Sequence, residues 1–151
     1  MVSYEGIFFE GEMATFIRSL EETNLGKLND ELHCTFKYHP SDKEVFNDIV
    51  GKSFDVYIVG YGNDGMNSGF ELLLPDNLKK YYINYDEKDS SILKIPHITV
   101  SLSEKAKASN TKNLNFKKLD KPIKVTGKFG FWIKEEGVEY LSYSKYFIKK
   151  R

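Results

Sequence analysis

The chain is poor in the groups that would staple it, load it with metal or anchor it in a bilayer. It has a single cysteine, Cys34, which excludes an internal disulfide framework and any cysteine-cluster zinc site and points to a reducing compartment. No apolar run approaches the ~20 residues needed to span a membrane. The opening Met-Val-Ser-Tyr-Glu-Gly lacks a basic stretch followed by a long apolar one, so no secretory leader and a cytoplasmic location are expected. Net charge is absent too: 22 Lys and Arg stand against 22 Asp and Glu. A neutral chain is a poor candidate for wrapping long nucleic acid, because that affinity comes from many phosphate contacts. There are only three histidines, one tryptophan and four prolines.

What is present is a foldable mixture. At 151 residues, 40% hydrophobic and 29% charged, the chain has the size and composition of one globular domain. The zero net charge hides an asymmetry: residues 1–102 carry 9 basic and 17 acidic side chains, residues 103–151 carry 13 and 5. Two oppositely charged solvated faces would explain this, and so would a C-terminal third that lines a groove for a small anion.

Residues 4–9 read as a strand and 10–23 as a helix, with Met13, Phe16, Ile17 and Leu20 at helical spacing and Asn24 and Gly26 as stop signals. Residues 32–38 alternate as a strand, and 41–50 read as a short capped helix. Strands are expected over 54–61, 70–74 and 95–102, a helix over 104–113, and a final pair of strands over 123–134 and 138–147. Residues 80–85 show no clear period. The pattern predicts an α+β domain of two small lobes, with helices on the outer faces of one sheet or of two small antiparallel ones.

Two of the three histidines sit in the same short pattern, His33-Cys34-Thr35-Phe36 and His97-Ile98-Thr99-Val100. With six threonines in 151 residues, two of three histidines carry Thr at +2 by chance with a probability of roughly 0.005. In a strand, residues i and i+2 share a face. His33, Thr35 and Lys37 are therefore expected on one face, with Cys34 turned into the core, and His97, Thr99 and Ser101 on another. Two converging imidazoles suit phosphodiester cleavage: near neutral pH one takes a proton from the nucleophile and the other gives one to the leaving oxygen. Thr35 and Thr99 are placed to donate to the phosphoryl oxygens. His39, next to Pro40, reads as a turn residue. No acid-rich or cysteine-rich pattern accompanies the pair, so neither a metal nor a cofactor is expected.

The two His-x-Thr-x tetrads resemble those of the two-histidine (2H) phosphoesterase superfamily, which includes LigT-like proteins and RNA 2′,3′-cyclic phosphodiesterases. The resemblance implies a two-lobed fold with one tetrad per lobe facing a central cleft. It also implies catalytic roles for His33, Thr35, His97 and Thr99. The tetrad segments 32–37 and 95–100, with the stretch Gly60-Tyr61-Gly62-Asn63-Asp64-Gly65, look like those of the phage anti-CBASS phosphodiesterases. That likeness runs from Tyr4 to Phe147 and implies a cyclic di- or trinucleotide substrate, used by bacteria as an immune signal and degraded in the host cytoplasm.

Substrate-binding candidates come from the residues themselves. Trp132 stands among Lys128 and Lys134 in its predicted strand, suited to stack on a base; Tyr4 and Tyr61 are further stacking candidates, and Lys37 could steady a phosphate. An RNA-end enzyme that opens 2′,3′-cyclic phosphates or acts on 2′–5′ linkages, a silent nucleotide-binding sponge and an RNA-binding module are the competing readings. Which histidine is base and which is acid stays open at this level.

Overall fold

The computed structural model describes residues 2–41 and 46–141. Its regular structure is mostly strand: β1 (Val2–Phe9), β2 (Lys27–Leu28), β3 (Leu32–Tyr38), β4 (Ser53–Asn63), β5 (Asn67–Leu73), β6 (His97–Leu102), β7 (Lys117–Ile133) and β8 (Gly137–Glu139). All pairings are antiparallel, and all eight strands join one sheet in the order β2-β6-β5-β4-β7-β1-β3, with β8 beside β7. The two separate small sheets allowed by the sequence are thus replaced by one. The reason is the long strand β7, which pairs with β4 between Lys117 and Lys128 and with β1 between Lys128 and Ile133 and welds the two groups together.

The helix α1 (Gly11–Ser19) is shorter than its apolar spacing predicts. It buries Ile17 and leans Met13, Ala14 and Leu20 on the core, whereas Phe16 is exposed. Its expected last turn is captured by β6: Ser101 Oγ bonds the Glu21 carboxylate and accepts from the Leu25 backbone N–H. The helix expected over 104–113 reduces to a 3-10 segment, Ala108–Asn113, because Ser, Asn and Thr make poor helix interiors. A short helix α2 (Asp76–Lys79) precedes the segment without clear period. Of the helix expected over 41–50, residues 42–45 lie outside the described residues, and 47–51 form a turn. The last expected strand survives as β8, its remainder beyond residue 141 also lying outside them. No helix among the described residues is long and apolar enough to cross a membrane.

The main core includes Phe36, Phe70, Phe129, Ile58, Ile98 and Val125, and a small second cluster joins Val2, Phe131 and Ile133. The sheet curls around the main core until β3, at one end of the strand order, and β6, next to the other end, come into contact. One asparagine holds the threonine carbonyl of each strand. Asn29 donates to the Thr99 carbonyl at 3.0 Å and Asn84 to the Thr35 carbonyl at 3.2 Å. The backbone N–H of His97 also donates to the buried Cys34 sulfur.

Candidate active site

Each tetrad strand carries the same irregularity. On β3, Gly6 of β1 pairs with Thr35 and Glu5 with Lys37, so Phe36 is an extra residue. On β6, Gly69 of β5 pairs with Thr99 and Ser68 with Ser101, so Val100 is extra. Both are β-bulges placed immediately after the tetrad threonine, and both sit opposite a glycine. A Cβ on Gly6 would lie 2.0 Å from the Cys34 carbonyl oxygen, and one on Gly69 would lie 2.4 Å from that of Ile98. The glycines let the tetrad strand bend in toward its neighbour, and the bulge re-aims the side chains that follow.

His33, Thr35, His97 and Thr99 consequently line one small cavity of about 30 Å³, together with Asn29, Tyr38 and Ala108. The bulge corrects the sequence reading at two positions. Tyr38, not Lys37, stands with His33 and Thr35 in the cavity wall, and Lys37 lines a larger hollow alongside. Ser101 is turned away from His97 and Thr99 to tie down Glu21 and Leu25.

The two imidazoles are held alike. His33 Nδ1 lies 2.7 Å from the Glu31 carbonyl and His97 Nδ1 lies 2.6 Å from that of Ile95, two residues upstream in each case. A carbonyl only accepts, so each Nδ1 carries its proton and each Nε2 is the atom free to exchange one. Their surroundings differ. Tyr4 stacks on His33 with ring centroids 4.6 Å apart, Phe8 lies 5.7 Å away, and Trp132 stacks on the far side of Tyr4 at 6.2 Å. Burial pushes the His33 imidazolium down to about 4, with the nearby His97 a smaller contribution in the same direction. His97 is lowered as well, first by burial and then by the cations Lys94 and Lys112.

The threonines are both buried and both bonded. Thr35 hydrogen-bonds the Tyr38 phenol. Thr99 Oγ1 donates to Thr111 Oγ1 at 2.7 Å, and Thr111 Oγ1 also accepts from Asn67 Nδ2 at 3.0 Å. The Ala108 carbonyl is a second acceptor 3.4 Å from Thr99 Oγ1. A ligand oxygen that takes the Thr99 proton does so in exchange for these internal acceptors.

The binding candidates divide. Tyr4 and Trp132 stand beside His33 on the aromatic wall. Tyr61 does not join them. It lies on β4, its hydroxyl 2.8 Å from Ser68, against a different cavity shared with Lys117 and Lys118. Among the described residues of the C-terminal third, Lys112 acts on His97, whereas Lys121, Lys124, Lys128 and Lys134 are exposed along and just beyond β7. Cys34 is buried, and burial pushes its thiol up to about 12, so it is no nucleophile. Among the described residues no group of three or more His, Cys, Asp or Glu side chains is placed to hold a metal ion.

Sequence reasoning missed Tyr38, Asn29, Asn84 and Thr111. Only Tyr38 left a usable trace: Gly6 and Gly69, glycines inside strands, mark places where alternation breaks. Compared with known proteins, the chain matches no protein-family model and no curated protein.

Proposed function

We propose that the chain is a phosphodiesterase that needs no metal and cleaves 3′–5′ linkages of cyclic di- or trinucleotides. The observation that carries this reading is the matched pair: two imidazoles, each with its Nδ1 tied to a carbonyl and its Nε2 free, sharing one cavity with two threonine hydroxyls. On this reading the two ends of the curled sheet are the two lobes of a 2H fold, β2-β6-β5-β4 and β3-β1-β7, with one tetrad on β6 and the other on β3.

His33 is the general base and His97 the general acid. Neutral His33 takes the proton of the ribose 2′-OH through Nε2. The 2′-oxygen bonds to phosphorus, the P–O5′ bond breaks, and His97 Nε2–H gives its proton to the departing O5′. Thr35 and Thr99 donate to the non-bridging oxygens, where negative charge grows. The product is a linear nucleotide with a 2′,3′-cyclic phosphate and a free 5′-OH. Water then opens the cyclic phosphate with the two histidines in exchanged roles. The cavity volume of about 30 Å³ suits a phosphoryl oxygen or an attacking water and leaves the rest of the ligand outside.

The test is incubation with cyclic GMP-AMP and, separately, with RNA ending in a 2′,3′-cyclic phosphate, both in EDTA. Cleavage of the cyclic dinucleotide is expected, reduced by about 10²–10⁴ in His33→Ala and in His97→Ala. Cleavage of the RNA end alone would transfer the chemistry to RNA repair. A folded protein that binds cyclic GMP-AMP and returns it intact is a sponge. Dependence on added metal would overturn the metal-free mechanism.

A further inference from the structure

The tetrad cavity is too small for more than the reacting group, so any nucleotide must extend beyond it. Tyr38 forms a wall of this cavity and also of a second hollow of about 480 Å³. That volume falls in the range of small-molecule sites, about 300–1,000 Å³. The hollow has apolar surface from Ile83 and from Tyr85, which is 45% exposed, and polar groups from Lys37, Ser90, Ser109 and Lys94.

Lys94 is the unusual member. Its side chain is 4% exposed, its ammonium sits 5.0 Å from the centre of the Tyr38 ring, and its carboxylate partner is Glu87 at 2.5 Å. Glu87 is 57% exposed and is shared with Lys112, which also pairs with Asp86. Burying a lysine is costly, and one exposed carboxylate divided between two ammonium groups is a weak return for it. Both lysines also lie close enough to His97 to act on its charge. The arrangement is a pair of cations beside His97, one of which, Lys94, lines a hollow of nucleotide size, with a carboxylate shared between them that solvent can take.

We propose that this hollow is a second nucleotide subsite, in which Lys94 exchanges Glu87 for a non-scissile phosphate of the ligand while the attached base rests on Tyr85 and Ile83. The proposal rests on the tetrads holding the scissile phosphate and names the ligand class as one with at least two phosphates.

The experiment compares binding of cyclic GMP-AMP, with two phosphates, and adenosine 2′,3′-cyclic monophosphate, with one. Calorimetry is run in the His97→Ala background so that the ligand survives the titration. Lys94→Met is expected to cut the preference for cyclic GMP-AMP over the mononucleotide by about 10- to 100-fold, the loss of one charged hydrogen bond. Glu87→Gln is expected to raise that preference, an opposite sign that a damaged fold would not give. Equal preference in Lys94→Met and its parent overturns the subsite and leaves the cleavage reading standing. Lys94-dependent binding by a wild-type protein that cleaves nothing overturns the cleavage reading and leaves the subsite standing. No binding of cyclic GMP-AMP by folded protein overturns the subsite.

Discussion

Replacing His33 by glutamine should flatten the acid dependence of stability between pH 6.5 and 4. The ring is packed under Tyr4 and against Phe8, and burial holds its pKa at about 4. An unfolded histidine titrates near 6.5. Above pH 6.5 the ring is neutral in both states and adds no pH dependence. As pH falls below 6.5 the unfolded chain takes up a proton that the folded chain refuses, so stability declines, and the loss is complete near pH 4. Each tenfold in proton affinity is about 1.4 kcal/mol, so the full loss is about 3 kcal/mol, trimmed to about 2 by solvent that reaches the cavity. Glutamine cannot charge. Urea denaturation at pH 7 and pH 4.5, in wild type and His33→Gln, isolates this term, since the carboxylates and the other two histidines cancel in the difference. The wild type should lose about 2 kcal/mol more than the variant across this interval. Parallel profiles would show that the ring is solvated, and the case for a neutral base at His33 would go with it.

A diester with a nitrophenolate leaving group needs no acid, so it should restore about 10²-fold or more of the activity lost in His97→Ala and little of that lost in His33→Ala. Equal rescue would reverse or void the assignment. Gly6→Ala drives a methyl into the Cys34 carbonyl, where only backbone could yield, and should cost about 3 kcal/mol or more, read from the urea midpoint; a midpoint within error of wild type would refute the role given to the bulge. The Cys34 thiol, pushed up to about 12 by burial, should resist a disulfide reagent at pH 8 in the native state and react within minutes in urea. Rapid native-state labelling would mean that β3 and β6 part readily.

The tetrads and their strands were legible because their signals are local. Leu32–Tyr38 alternates cleanly, and His97–Leu102 follows the restriction imposed by Pro96. Period-2 alternation was enough to turn Cys34 inward and to put each histidine on a face with its threonine; that the two faces meet depends on the strand order. Alternation failed at Lys37, Tyr38 and Ser101 because a bulge is a property of a pair of strands. Phe36 becomes an extra residue only when Thr35 is set against Gly6. The single sheet was illegible for a related reason: the length of β7 decides it, and Asp120 and Pro122 in its first half argue locally for a turn. Tyr61 had the same composition cue as Tyr4. What separates them is the strand order, which puts β1 beside β3 and β4 in the middle of the sheet.

The likeness of the two halves sharpens the meaning of their differences. Both tetrads are built by one device: a glycine on the neighbouring strand, a bulge after the threonine, an asparagine on the threonine carbonyl, and a ring nitrogen on the carbonyl two residues back. Geometry alone would then make His33 and His97 interchangeable. Their surroundings break the tie. His33 lies under an aromatic wall that disfavours charge, whereas His97 faces the Glu87 cluster, whose lysines are partly neutralised in place. Burial lowers both rings, and Lys94 and Lys112 add to the lowering of His97. A bound phosphate would offset those two cations at His97, whereas no lysine contributes to the lowering of His33, so the order with His33 as neutral base and His97 as charged acid is the one that this difference in surroundings favours. Two copies of a symmetric device can run a directional reaction because only one of them is surrounded by aromatic rings.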